Sequence, residues 1–95
     1  MRQIAAKRDA NEPEIVRALR GHGASVTSLS AGGIPDLLVG YRGVNLLFEV
    51  KSDKGVLTKE QKEWHSTWNG QKMIIRSSEE ALVYLYAIDN YFKPK

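Results

Sequence analysis

Asp36 and Glu49 stand thirteen residues apart, and Lys51 follows Glu49 after a single apolar residue, Val50. The stretches around them are otherwise apolar: Leu37-Leu38-Val39-Gly40-Tyr41 after Asp36, and Val44-Asn45-Leu46-Leu47-Phe48 before Glu49. Two carboxylates held close together repel unless a cation lies between them or one is protonated. Mg2+ takes hard oxygen ligands and keeps several waters, so two carboxylates and the Val50 backbone carbonyl suit it. A lysine beside a metal-bound water orients or deprotonates it, or offsets charge on a pentacoordinate phosphate.

Whether the acids meet depends on register. Residues 36–41 and 44–51 read as two β-strands, and the Arg42-Gly43 pair between them is a hairpin signal. With those two residues as the loop, Tyr41 faces Val44, and counting outward brings Asp36 opposite Glu49. Directly opposed side chains sit about 4.5–5.5 Å apart at Cβ. Alternation puts Lys51 on the Glu49 face and turns Val50 into the core. All three groups then collect at the end of the hairpin far from its turn.

The remaining elements must frame that end. Asn11-Glu12-Pro13-Glu14 carries an N-cap residue, a first-turn proline and an acid three residues after the cap, so a helix starts there with Glu14 closing a capping box. Ile15, Val16 and Leu19 form its inward stripe, and Gly21 and Gly23 stop it. At about 100° per residue, Glu12 projects along that stripe while Glu14 falls on the opposite side. Glu12 is thus a candidate third acid. A strand is expected over residues 24–29, then a loop over 30–35. Thr58-Lys59-Glu60-Gln61 is a second capping box, opening a helix that ends at Asn69-Gly70. Gln61 has a complete structural role there, yet lies close enough behind Lys51 to order a metal-bound water or a phosphate. Residues 72–76 form a short strand, and Ser77-Ser78-Glu79-Glu80 caps a last helix bearing Leu82, Val83, Leu85, Tyr86 and Ile88. The order is α-β-β-β-α-β-α, a mixed sheet flanked by helices.

Composition narrows the function classes. At 42% hydrophobic and 26% charged the chain is globular rather than disordered, and its 95 residues make one small domain. Residues 1–10 read as a basic arm and 11–95 as a single domain. Zero cysteines exclude disulfides, thiolate zinc sites and a Cys nucleophile. No apolar run approaches the roughly 20 residues of a membrane span, and residues 1–9 hold no secretory signal, so a cytoplasmic setting away from membranes is expected. The net charge of +3 favours a polyanionic partner without identifying one.

Taken together, Glu12-x-x-Ile15-Val16, Gly33-Ile34-Pro35-Asp36-Leu37, Glu49-Val50-Lys51 and Leu57-Thr58-x-x-Gln61 resemble the virus-type replication-repair nuclease (VRR-NUC) domains, stand-alone members of the PD-(D/E)XK superfamily. The resemblance covers roughly residues 9–85. It implies an α/β restriction-endonuclease-like fold and a Mg2+- or Mn2+-dependent phosphodiesterase that cuts DNA by in-line attack of water. Asp36 and Glu49 would be metal ligands, Glu12 a direct or water-mediated ligand, Lys51 the catalytic lysine, and Gln61 an accessory catalytic residue. Stand-alone relatives are similar to Holliday-junction resolvases, so the resemblance implies a homodimer acting on four-way or other branched DNA. A phage source and a host-cell cytoplasm would fit. Larger relatives carry added domains for DNA recognition, and none is expected within these residues.

Other residues have simpler readings. Lys7, Arg8, Arg42, Lys54 and Lys59 are candidate phosphate contacts, with Arg2 beside them, although any one lysine or arginine is by default solvated. His65 has no ligand partner in sequence and reads as a surface or interface residue; His22, flanked by glycines, reads as structural. Trp64, Trp68, Tyr84, Tyr86, Tyr91 and Phe92 could stack on unpaired bases, but core or dimer contacts are the commoner use of such side chains. Tyr84, Leu85 and Ile88 are the expected dimer face. Competing functions are a nuclease acting on flaps or single-stranded ends, a non-catalytic DNA-binding module on the same fold, and a small basic interaction protein.

Overall fold

Arg42 and Gly43 both take positive φ, 51° and 82°, the type I′ geometry that closes a two-residue hairpin with the right strand twist. The strands it joins pair antiparallel from Tyr41↔Val44 out to Leu37↔Phe48, the register expected from the sequence. In this computed structural model, which describes residues 9–94, the order is α1 (Glu12–Gly21), β1 (Ser25–Ser28), β2 (Leu37–Tyr41), β3 (Val44–Val50), α2 (Lys59–Thr67), β4 (Met73–Ile75) and α3 (Ser78–Tyr91). Lys7 and Arg8 lie outside the described residues. The sheet order is β1-β2-β3-β4, with β4 parallel to β3 and the other pairs antiparallel.

The core lies on one face of this sheet. Leu37 and Val39 of β2, Leu46, Phe48 and Val50 of β3, and Ile75 of β4 meet Ile15 and Leu19 of α1 and Ala81 and Leu85 of α3. Burying side chains of this size contributes about 1.5–3 kcal/mol each. Tyr84 and Ile88 pack against the same cluster, and Leu85 is fully buried, so the expected dimer face on α3 is intrachain core. Apolar helical spacing marks an inward stripe whether its partner is a second copy or the chain's own sheet. The exposed side of α3 carries Val83 and Tyr86 instead, with Tyr91 and Phe92 at its end.

No residue of α2 is buried, and it stands apart from that core. Trp64 and Trp68 are therefore not core residues: their rings stack on each other 4.8 Å apart at 17°, with Trp68 42% exposed. Both capping signals after the hairpin are realised. Thr58 and Gln61 form the reciprocal box at α2, and Ser77 accepts the Glu80 N–H at α3.

The cap expected at α1 is absent. Asn11 has helical φ/ψ and makes no side-chain cap bond. Its Nδ2 instead donates to the Lys51 carbonyl at 3.1 Å and the Arg76 carbonyl at 3.0 Å. An amide carries two N–H donors as well as an oxygen, and here the donors join carbonyls just past the ends of β3 and β4. Glu14 is exposed and closes no capping box.

Candidate active site

The site forms where the sheet face opposite the core meets α2. Asp36 immediately precedes β2, and its Oδ2 accepts the Val50 N–H at 2.8 Å, tying it across the hairpin to the end of β3. Its own carbonyl accepts the Leu29 N–H at 2.7 Å, which fixes the segment on the other side. Glu49 is 1% exposed although it is an acid within a strand. Burial, then the Asp36 carboxylate beside it, push its carboxyl up to about 8; Lys51 opposes this and the charge of Asp9 adds to it.

Four groups converge on Glu49. Gln61 Nε2 donates to Oε2 at 3.0 Å, and Lys51 Nζ lies 3.9 Å from the same oxygen. His65 Nε2 lies 3.6 Å from Oε1, and Asp36 is the acidic neighbour. Gln61 serves two ends at once, because its Oε1 accepts the Thr58 N–H at 2.9 Å and completes the cap. The capping box thus sets the amide's orientation toward Glu49.

His65 corrects the expectation of a surface or interface residue without a partner. Its side chain is 11% exposed and belongs to the site. Burial, then the charges of Lys72 and Lys51, hold its pKa below the usual imidazole value, so it is neutral near pH 7. The signal was present: His65 is four residues after Gln61, hence on the same helix face. Nothing in the sequence alone aimed that face at Glu49.

The Asn11 bridge carries the first turn of α1, and Glu12 with it, to the end of β3. Glu12 is buried. Asp9, whose carbonyl accepts the Glu12 N–H, adds an acid that the sequence reading did not single out. Among the described residues, no three His, Cys, Asp or Glu side chains are gathered closely enough to hold a metal ion. The donor set is thus the Asp36–Glu49 acid pair. It fits a hard divalent ion that keeps most of its waters. Glu49 Oε1, buried and without a hydrogen bond, is the kind of atom such an ion satisfies.

The loop after Lys51 is pinned by Arg76, whose Nη1 donates to the carbonyls of Ser52 at 2.7 Å and Gly55 at 2.8 Å. Lys54 and Lys59 are exposed in and just after this loop. Arg42 is at the opposite end of the hairpin. It donates to Asp89 at 3.0 Å and lies over the Phe92 ring, so its charge is engaged within the fold. His22 is structural as expected, 2.9 Å from Asp89 and in ring contact with Tyr41 and Tyr86. Gly33, at φ +81°, brings the loop before Asp36 against α2, where a Cβ would stand 3.3 Å from the Glu60 carbonyl oxygen.

No protein-family model matches the chain, and no curated protein does. A solved structure described as a VRR_NUC domain superposes with a TM-score of 0.63 at 24% identity, over 88% of this chain and 100% of that one. The hairpin, the parallel fourth strand and the helix order therefore compose the fold of a VRR-NUC domain.

Proposed function

We propose that this chain is a Mg2+-dependent DNA endonuclease, with Mn2+ as a substitute, that hydrolyses phosphodiester bonds in branched DNA and acts on four-way junctions as a homodimer. The observation that carries the reading is the buried Glu49 carboxyl beside Asp36, with Lys51 at its edge. A carboxyl raised to about 8 by burial and a second acid is a site awaiting positive charge.

Asp36 and Glu49, with the Val50 carbonyl, would hold the ion, and Glu12 would reach it through water. Bound there, the ion supplies an acidified water and offsets charge on the scissile phosphate. The chain's own groups do the rest. The Val50 N–H fixes Asp36, and Gln61 fixes Glu49. Lys51 Nζ, as an ammonium, would offset the charge that develops on the attacked phosphate. His65, neutral, packs against Glu49 without adding a charge. Lys54 and Lys59 would hold backbone phosphates beside the site. Arg42 is the weaker candidate because Asp89 already engages it.

Branch geometry is the proposed basis of selectivity, since among the described residues no helix-turn-helix or zinc finger is present to read base edges. A four-way junction needs two cuts, which two copies of a single-site domain supply. Among the described residues, no helix is long and apolar enough to cross a membrane. The test is cleavage of a labelled four-way junction with Mg2+, compared with flap, duplex and single strand. Asp36→Ala, Glu49→Ala and Lys51→Ala should each abolish cutting while junction binding persists. A folded protein that cuts none of these with Mg2+ or Mn2+ would overturn the proposal.

A further inference from the structure

We propose that Trp64 and Trp68 form a stacking platform for unpaired bases of the DNA strand entering the site, which favours branched DNA with single-stranded character beside the cut. This rests on the nuclease reading above and names its substrate class.

The indoles are paired 4.8 Å apart at 17°, on a helix that buries nothing in the core. Apolar rings of this size leave water only by finding a partner, and the pair is covered only in part: Trp68 remains 42% exposed. The rings are also held. Trp68 Nε1 donates to the Gln71 carbonyl at 3.2 Å, and Gly70 passes so close to the N–H edge of the ring that a Cβ there would stand 2.7 Å from Nε1. A ring fixed in advance loses little entropy when a base stacks on it.

The platform is continuous with the proposed chemistry. Trp64 contacts His65 edge to face at 5.4 Å, and His65 Nε2 is 3.6 Å from Glu49. Trp68 thus stands two ring contacts from the acid pair, a reach of a few nucleotides along a strand. Cations accompany it: Lys72 Nζ donates to the Trp68 carbonyl at 2.9 Å, and Lys51 stands at Glu49. Aromatic faces with lysines alongside are how proteins hold single strands without reading their sequence. Bases of an intact duplex are already stacked on their neighbours and have no face to offer.

The test is fluorescence anisotropy of a labelled oligothymidylate and of a blunt duplex of equal length, with EDTA present so that no cutting intervenes. The full chain should bind the single strand more tightly than the duplex. Trp68→Leu, which keeps apolar bulk without a π-face, should weaken single-strand binding roughly 5- to 150-fold. Trp68→Phe should retain most of it, and neither change should alter duplex binding. Thermal melts establish that each variant is folded. Equal binding by folded Trp68→Leu and Trp68→Phe, or equal binding of duplex and single strand by the parent, would overturn the platform. Because the readout needs no catalysis, ring-dependent binding without Mg2+-dependent cutting of any DNA would support the platform and overturn the nuclease reading.

Discussion

Gln61 donates to Glu49 from the same amide whose oxygen closes the cap of α2, so helix initiation and the orientation of a buried acid depend on one side chain. Gln61→Ala should remove both, costing about 1 kcal/mol in urea denaturation through the cap. It should also lower cleavage about 10- to 100-fold through the lost support of Glu49. Gln61→Glu keeps an acceptor for the Thr58 N–H but places a carboxylate against Glu49. Its stability should fall less than its activity. Equal activity in parent and Gln61→Ala would remove Gln61 from the site.

Asn11 gives a prediction opposite in sign to helix propensity. Asp is as good an N-cap as Asn in isolated helices and better matched to the macrodipole. Here the Nδ2 donors meet the carbonyls of Lys51 and Arg76. Asn11→Asp would oppose two carbonyl oxygens with a carboxylate and should destabilise the protein by roughly 1–3 kcal/mol. Urea denaturation measures it, and a neutral or stabilising result would mean that the bridge contributes nothing.

The acid pair predicts a thermal response to divalent ions. Mg2+ at about a hundred times its Kd should stabilise the fold by roughly 2.7 kcal/mol, about 10–20 °C in Tm for a domain of this size. Asp36→Asn and Glu49→Gln should each abolish that rise. Differential scanning fluorimetry with MgCl2 against EDTA reads this without any DNA.

Asp89 ties the far end of the hairpin to α3. Hydrogen bonds from His22, then Tyr41, and a further one from Arg42 hold its carboxyl down to about 2. A carboxyl depressed by folding contributes stability that is complete above its unfolded value near 4 and is lost as pH falls toward about 2. Acid melts of the parent should therefore drop across that window more steeply than those of Asp89→Asn. Parallel curves would mean that the cluster adds no pH dependence.

Gly33 is a geometric prediction. At φ +81° with the Glu60 carbonyl oxygen 3.3 Å from where a Cβ would stand, Gly33→Ala should cost about 1–2 kcal/mol in urea denaturation. A loss of cleavage in excess of that cost would show that the loop against α2 also sets the position of Asp36.

The hairpin was legible because two residues with turn chemistry fix its register out to Leu37↔Phe48, and the Val50 N–H then holds Asp36, just before β2, beside Glu49. Capping chemistry likewise marked α2 and α3 in advance. What stayed hidden depends on long-range placement. His65 joins the site only because α2 turns its Gln61 face to the sheet, and local sequence carries no such direction. The Asn11 signal was misleading for the same reason, since a donor pair with carbonyl partners 40 and 65 residues away abandoned the cap. Spacing on α3 identified its buried stripe but could not say that this stripe faces its own sheet.

Since α2 buries nothing in the core, its outward positions are under little obligation to folding. If the chain is the proposed nuclease, those positions could be exchanged to retune which nucleic acid is gripped, while the strands beneath keep Asp36, Glu49 and Lys51 in place. Scaffold and selector are thereby separable parts of one short chain, and an engineer could vary the second without rebuilding the first.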